Sequence, residues 1–548
     1  MAKYSIGIDF GTLSARALIA NTENGSIIGS AVTYEYPHGV MTELCGTPLP
    51  DGYALQHPQD YIDAIDTLIP TLLKENPLSP DDIVGIGIDF TSCTVLPLDK
   101  NGLPLCFRKK FENDPHAYAK LWKHQGANKY ADRIERIASK YGDTLRITGG
   151  VLSGEFMIPK LYETYIESPS VYSETEKFIN AGDFVASLLV GRYVHSTSFA
   201  TIKEHYDNAS GAGHPPREFF EEISSGFSDV LKKLGTELDS VGDSCGTLVP
   251  EWAERLGLGT HTAIAVPVID AHGSFGAVGI EDGMAVAVLG TSAVMAVLSK
   301  QKCYVPGIHS HGYGATATGF MTFEAGIRAM GDLYAWFVEN CVPAEYERKA
   351  AESNMGIHAY LRSLAEAKRV GESGLIALDW WNGNRSVIPN DKLSGMIIGM
   401  RLSTRPEDIY RALIESTAFE LRRVLENYTS NGVNIKKLVA TGGIAAQDPM
   451  LMQILCDVLG RKIDCLLESN ATSLGAAVWG AAAAGVYPDL AIASARMKLP
   501  ITGSYYPIAE NVEAYEMLYR RYVELYNYFA GGSNTVMEFL YDNKNTNI

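Results

Sequence analysis

Residues able to grip a phosphate recur at two places in the chain. The first is Ile6-Gly7-Ile8-Asp9-Phe10-Gly11-Thr12-Leu13-Ser14-Ala15-Arg16, where an acid, a Gly-Thr turn and a hydroxyl lie between two apolar runs. The second is the shorter Val288-Leu289-Gly290-Thr291-Ser292. A glycine in a tight strand-turn-strand lets backbone N–H groups come close to a phosphate, and Thr and Ser hydroxyls add further donors. Asp9, at the end of its strand, is a candidate to hold Mg²⁺ directly or through water. A lone Gly-Thr hairpin reads as an ordinary turn. Its recurrence in the later half of the chain points instead to two lobes sharing one nucleotide.

Two more segments carry chemistry. Val439-Ala440-Thr441-Gly442-Gly443-Ile444 is an apolar strand ending in paired glycines, followed by Asp448 as helix N-cap, Pro449 at the first helical position, and Leu451, Ile454, Leu455 and Val458 on one face. Such a turn lets a flat ring or a phosphate lie against bare backbone, and serves equally as a tight strand-to-helix connection. The small-residue helix opening at Thr472-Ser473-Leu474-Gly475-Ala476-Ala477 suits close packing beneath that same site. Pro267-Val268-Ile269-Asp270-Ala271-His272-Gly273 places an acid at the end of an apolar strand. Asp270 is the candidate general base, because phosphorylating a sugar hydroxyl needs a group within ~3 Å of the attacking oxygen to take its proton. A strand-end Asp is also a common turn cap, and His272 reads as an orienting or packing group. No Gly-Lys dipeptide occurs, which excludes a Walker-type loop, and no protein-kinase catalytic loop is present.

These residues must be positioned by elements, and apolar spacing predicts them. The first hundred residues read as strands over 4–9, 16–21 and 26–34, a helix after Pro58 with Pro70 kinking its last turn, and a strand over 83–90. Ile86-Gly87-Ile88-Asp89-Phe90 repeats Ile6-Gly7-Ile8-Asp9-Phe10 letter for letter, so Asp9 and Asp89 are expected to face one cleft at the carboxyl ends of parallel strands. The later half repeats the plan with strands over 284–289 and 293–298, a hairpin region over 304–322, a helix over 324–339 and a strand over 437–441. The expected class is α/β, with a domain over 1–255 and a second over 256–548 that opens on the strand 263–270. Long insertions at 112–142 and 210–240, the latter broken by Pro215-Pro216, are expected to form lids and a sugar-side subdomain.

Composition narrows the class. The 548 residues exceed what one core organises, and 46% hydrophobic, 20% charged and 10% aromatic residues suit a packed enzyme. A net charge of −18 argues against a nonspecific nucleic-acid binder. Eight scattered cysteines without a C-x-x-C pair fit reduced thiols in a cytoplasm. His309 and His311 form an H-x-H with no ligands nearby to complete a metal site. Met1-Ala2-Lys3-Tyr4 runs straight into a strand, leaving no room for a signal peptide, and the small-apolar run 476–486 is too short to span a bilayer. Tyr515, Tyr519, Tyr522, Tyr526 and Tyr528 are expected to pack a terminal helix onto the body, with a homodimer as the alternative partner for that face.

Taken in order, the Asp9–Arg16 hairpin, the Asp270 strand, the Gly290-Thr291-Ser292 turn and the Gly442-Gly443 loop resemble the FGGY carbohydrate kinases of the actin and hexokinase-like ATPase superfamily. Gly395-Met396-Ile397-Ile398-Gly399-Met400 with Asp408-Ile409 and Ala412-Leu413-Ile414-Glu415 resembles that family's carboxyl-lobe signature. The resemblance implies two ribonuclease H-like domains around a central cleft, with ATP and Mg²⁺ as cofactors. It places the phosphates on Gly11, Thr12, Ser14, Gly290 and Thr291 beside Arg16, and the adenosine end near Gly442 and Gly443. Asp270 carries over as base, with Ser92, Lys203 and Glu324 as sugar contacts.

Within the family, Ala54-Leu55-Gln56-His57-Pro58, Leu121-Trp122-Lys123-His124, Glu324-Ala325-Gly326, Gly331–Phe337 and Asp379-Trp380-Trp381-Asn382-Gly383-Asn384-Arg385-Ser386 resemble the branch acting on L-ribulose in arabinose breakdown. Two segments depart from that branch: Ser198–Ile202 replaces a Ser-Ala-Gly run, and Ile327-Arg328 replaces Gln-Ser. Both fall on the sugar side, so D-ribulose and xylulose stand as alternative substrates. A sugar- or ATP-binding regulator is the rival from another class, but neither terminus has room for a DNA-binding module.

Overall fold

The computed structural model describes residues 2–468 and 470–546, so Met1 lies outside it. In chain order, the first half contributes β1 (Tyr4–Phe10), β2 (Ser14–Asn21), β3 (Ile27–Glu35), α1 (Pro58–Glu75), β4 (Ile83–Phe90), α2 (Met157–Glu167), α3 (Thr197–Lys203), β5 (Ser244–Thr247), β6 (Ala263–Ala265), β7 (Val268–Ile269) and α4 (Asp270–Val278). The second half contributes β8 (Met284–Leu289), β9 (Ala293–Ser299), β10 (Ser310–Tyr313), β11 (Met321–Ile327), α5 (Gly331–Cys341), α6 (Pro406–Ser430), β12 (Lys437–Thr441), α7 (Pro449–Leu459), β13 (Ile463–Cys465), α8 (Ala471–Ala483), β14 (Gly503–Tyr505) and α9 (Ala509–Ala530).

Among the described residues these strands form two large sheets of one design. The first runs β5-β6-β4-β1-β2-β3, with β7 also against β4. The second runs β10-β11-β9-β8-β12-β13-β14. In each, a hairpin is flanked on its inner side by a parallel strand, β4 beside β1 and β12 beside β8. This is the duplicated ribonuclease H-like arrangement expected. The register confirms the repeated motif, with Asp9 opposite Asp89, and Asp9 also opposite Arg16 across the hairpin.

The two sheets are joined by α4 and α8, and glycine decides how closely. On the pleated β1–β4 pair, Gly7, Gly85 and Gly87 leave a bare backbone strip. A Cβ on them would lie 1.8, 2.2 and 1.7 Å from the carbonyl oxygens of Ser473, Gly480 and Ala476 in α8. Gly475 meets Gly273 of α4 as tightly, its Cβ position 1.8 Å from the Gly273 oxygen. The core around these helices is continuous from Ile6 and Ile88 on one sheet through Trp479 to Val286, Ala296 and Val439 on the other. The opposite face of the second sheet packs a separate core against α6, α7 and α9.

Several expectations change. The small-residue helix does pack closely, but against the first sheet rather than beneath the Gly442-Gly443 turn. The division at 255/256 would cut the first sheet, because β6 and β7 pair with β4. The segment 263–270 therefore closes the first lobe instead of opening the second. The helix expected over 324–339 begins only at Gly331, and Glu324 lies on β11, paired with Ala296 of β9. Strand alternation sends Phe323, Ala325 and Ile327 into the second core and Glu324 to the other face.

The insertions pack on one another. Ile134, Ile137, Phe219, Phe220 and Phe227 share a third core, and Arg133 Nη2 donates to the Ile223 carbonyl at 2.6 Å. On α9, Tyr515, Tyr519, Tyr522 and Tyr526 are buried within the chain, whereas Tyr528 is exposed. No helix among the described residues is long and apolar enough to cross a membrane.

Candidate active site

Three strands of the first sheet carry an acid at or just beyond their carboxyl ends. Asp9 is the penultimate residue of β1, Asp89 that of β4, and Asp270 follows β7 as the first residue of α4. Asp89 is fully buried and neither carboxylate oxygen has a hydrogen-bond partner. Burial pushes its pKa well above the ordinary range, and the negative charges of Asp9 and Asp270 push it further. Asp270 is raised to about 7 by burial and by Asp9, with Glu324 adding; the Ala271 N–H and Lys203 oppose the rise. That N–H donates to Asp270 Oδ1 at 2.7 Å, fixing the carboxylate at the helix start. Asp9 Oδ2 accepts from Thr472 Oγ1 of α8 at 2.8 Å. Among the described residues no group of His, Cys, Asp or Glu forms a cage for a bare metal ion.

The phosphate turns are braced from outside. Gly11 N donates to Ser14 O at 2.9 Å, closing the first turn. Thr12 is held twice: Gln56 Nε2 donates to its carbonyl at 2.7 Å, and Trp122 Nε1 donates to its Oγ1 at 3.1 Å. Because Oγ1 accepts from the indole, its own hydrogen is left to donate. Arg16 sits beside Thr33, its Nε 3.5 Å from Thr33 Oγ1.

In the other lobe Gly290 N donates to Ser292 O at 2.9 Å, while Gly331 N and Met330 N donate to the Gly290 and Thr291 carbonyls at 3.1 and 2.8 Å. Pairing of Val288 with Thr441 brings Gly442-Gly443 alongside this turn. Gly442 has φ 101° and its Cβ position lies 2.4 Å from Leu289 O, so only glycine fits. A Cβ on Gly443 would meet nothing within 4 Å: its backbone faces open space. As expected, Asp448 caps the helix that follows, accepting from Leu451 N at 3.0 Å.

Lys203 and Glu324 are both buried near Asp270. Glu324 Oε2 lies 3.2 Å from His272 Nε2, which puts the buried histidine beside the carboxylate. Burial alone would raise the Glu324 pKa, but His272, Lys203 and Arg385 outweigh it and hold the carboxyl below its usual value. Lys203 Nζ lies 3.6 Å from Glu155 Oε2, and Arg385 Nη2 reaches the same oxygen at 3.6 Å. Against the upward push of burial, Arg385, Lys203, Arg328 and Lys160 hold Glu155 at about 2. Ser92 contributes a buried hydroxyl without a partner. A cavity of about 240 Å³ is lined by Phe156, His309, Arg328 and Arg385 among others.

Glu155, His309, Arg328 and Arg385 were not among the sequence candidates. Arg385, Arg328 and His309 did stand in segments singled out for other reasons, His309 in the H-x-H pair, and these were the available signals. The 379–386 segment works as a bracket: Ser386 Oγ donates to Gly326 O at 2.7 Å, Asn384 Nδ2 donates to Tyr526 OH at 2.7 Å, and Trp380 packs on Tyr526. Between these anchors Arg385 points to His309, with Nη2 and Nε2 3.1 Å apart.

Comparisons with known proteins bear on the family and the fold. Curated proteins named ribulokinase from Geobacillus thermodenitrificans and Mycolicibacterium smegmatis are 39% and 40% identical, each aligned over 98% of this chain and 96% of the relative. A xylulose kinase structure from Rhodospirillum rubrum superposes with TM-score 0.79 at 21% identity, covering 96% of this chain and 98% of that one. A glycerol kinase structure from Plasmodium falciparum with ADP gives TM-score 0.74 at 17% identity, covering 95% and 98%. Residues 4–279 match the N-terminal domain and residues 285–484 the C-terminal domain of the FGGY family of carbohydrate kinases, and the chain belongs to that family.

Proposed function

We propose that this chain transfers the γ-phosphoryl group of ATP to the terminal hydroxyl of L-ribulose, giving L-ribulose 5-phosphate for arabinose breakdown. The observation that carries the reading is Asp270, a buried acid held by the Ala271 N–H at the start of α4, with its pKa raised to about 7 and Asp9, Glu324 and Lys203 near enough to act on its charge. A carboxylate poised near neutral pH is matched to accepting a proton from a hydroxyl. The choice of ribulose draws on the relatives' names and on their near-complete coverage of this chain.

In this reading Gly11, Thr12, Ser14, Gly290 and Thr291 supply backbone and hydroxyl donors to the phosphates, with Arg16 beside them, and the open backbone at Gly443 next to Gly442 receives the adenosine end. Ser92, Lys203 and Glu324 fix the sugar hydroxyls, since a polyol needs a donor or acceptor placed for each. Asp9 would hold Mg²⁺ through water, with Asp89 behind it. The unpartnered Asp89 oxygens and the excess of acid fit a cation, and that cation would neutralise charge on the phosphates. Most of the acceleration comes from positioning and electrostatics, with Asp270 taking the proton. The eight cysteines are all free thiols, which supports a reducing cytoplasm as the site of action.

The test is ADP release with ATP and Mg²⁺ across L-ribulose, D-ribulose, L-xylulose, D-xylulose, glycerol and the parent aldoses. The highest kcat/KM is expected for L-ribulose. A preference for another ketose would move the substrate assignment, and silence on every sugar with ATP still bound would overturn the catalytic reading.

A further inference from the structure

One side chain outside every motif touches the Ser92 turn directly and the Thr12 hairpin through one intervening segment. Lys160, on α2, is fully buried, and its ammonium donates to Cys93 O at 2.6 Å and to Leu121 O at 2.7 Å. Among the described residues no carboxylate pairs with it. Its hydrogen bonds go to carbonyls, and the nearest balancing charge is the Glu155 carboxylate, which it helps to hold ionised. A buried ammonium is otherwise an expensive way to fill space, for which a methionine would serve better. What the ammonium adds is direction.

Both carbonyls belong to functional segments. Cys93 adopts φ 57°, a left-handed conformation that costs a non-glycine residue, and it directly follows Ser92 with its unpartnered hydroxyl. Leu121 directly precedes Trp122, whose indole N–H donates to Thr12 Oγ1. The helix itself is anchored: Lys120 Nζ donates to Glu163 Oε2, Thr164 Oγ1 and Lys160 O at 2.6, 2.8 and 3.2 Å. Lys160 is thus a fork between the turn on the sugar side and the Leu121-Trp122 segment that braces the hairpin on the phosphate side.

We propose that Lys160 is a positioning residue that ties the Ser92 turn to the Thr12 hairpin through Trp122, so that filling the phosphate side orders the sugar side. The assignment of the two sides rests on the function proposed above, but the coupling can be read without any sugar. Hydrogen exchange is measured with and without the non-hydrolysed analogue AMP-PNP and Mg²⁺. In the parent protein the nucleotide is expected to slow exchange at amides 11–14 and also at 91–94. In Lys160→Met the protection at 11–14 stays and that at 91–94 disappears, with Lys160→Arg restoring part of it. The ketose KM at saturating ATP then rises about tenfold, within the usual range of coupling between sites; by reciprocity the ketose loses the same effect on nucleotide affinity, while AMP-PNP alone binds within about twofold of the parent.

A lysine of merely structural importance would lower Tm without altering the nucleotide dependence at 91–94. Equal protection of 91–94 in parent and Lys160→Met overturns the proposal. Should that variant fail to fold, Trp122→Phe removes the N–H reaching Thr12 along with the smaller ring of the indole; it is expected to lose the same protection, and retention overturns the proposal. A failed ketose panel would sink the substrate assignment and leave the exchange pattern standing, so the two failures are distinguishable.

Discussion

Asp270 concentrates the chemistry in one carboxylate, and its environment sets both rate and stability. Its pKa, raised to about 7 by burial and by Asp9, predicts that kcat/KM climbs with pH until Asp270 is deprotonated and levels off above neutrality. Asp270→Asn is expected to cut kcat on the order of 10³-fold, as loss of a general base does, with nucleotide affinity retained; full turnover in a steady-state assay would remove Asp270 as the base. The same shift has a stability sign. The folded state holds the Asp270 proton more tightly than the unfolded state does, so stability is highest below the unfolded pKa and is lost as pH rises through the folded value. Asp270→Asn should therefore melt at the parent's temperature near pH 4 and above it at pH 8, as read by thermal unfolding at both pH values.

At the scale of elements, glycine does two different jobs. Gly87 on β4 exists for packing, since its Cβ position lies 1.7 Å from the Ala476 oxygen of α8. Gly87→Ala must push that helix off the first sheet, and a loss of about 3 kcal/mol is expected from overpacking, measured as the urea midpoint of the first unfolding transition. Gly443 exists for access, with nothing within 4 Å of a Cβ there. Gly443→Ala should leave the urea midpoint unchanged and raise the KM for ATP, and an unchanged KM would argue against the adenosine end lying at this turn. The strand β11 shows the limit of local reading at this scale. Glu324-Ala325 favours a helix by propensity, yet pairing with β9, well upstream in sequence, makes the segment a strand and turns Glu324 toward Asp270.

For the whole molecule, the arrangement is two sheets clamped onto a shared pair of helices, α4 and α8, with the acids of the first sheet and the turn of the second at the cleft edge. Closure about those helices would exclude the water that competes for the phosphoryl group. Small-angle scattering should show the radius of gyration falling when AMP-PNP, Mg²⁺ and L-ribulose are all present, and less with either substrate alone. A radius indifferent to ligands would mean that the site needs no closure.

The sequence by itself determined the two hairpins, the facing acids and the family. Each is written within a few consecutive residues: the repeated Ile-Gly-Ile-Asp-Phe sets the register of Asp9 against Asp89, and the Gly-Gly turn with Asp448 and Pro449 announces its own helix. Only the tertiary structure decided where the first lobe ends, which sheet the small-residue helix covers, and that Glu155, His309, Arg328 and Arg385 stand around Lys203. The physical reason is range. Turn and strand chemistry depends on neighbours in sequence, whereas the ion cluster at Glu155 is made by groups from segments far apart in the chain, whose charges meet only after both sheets have closed on the same core.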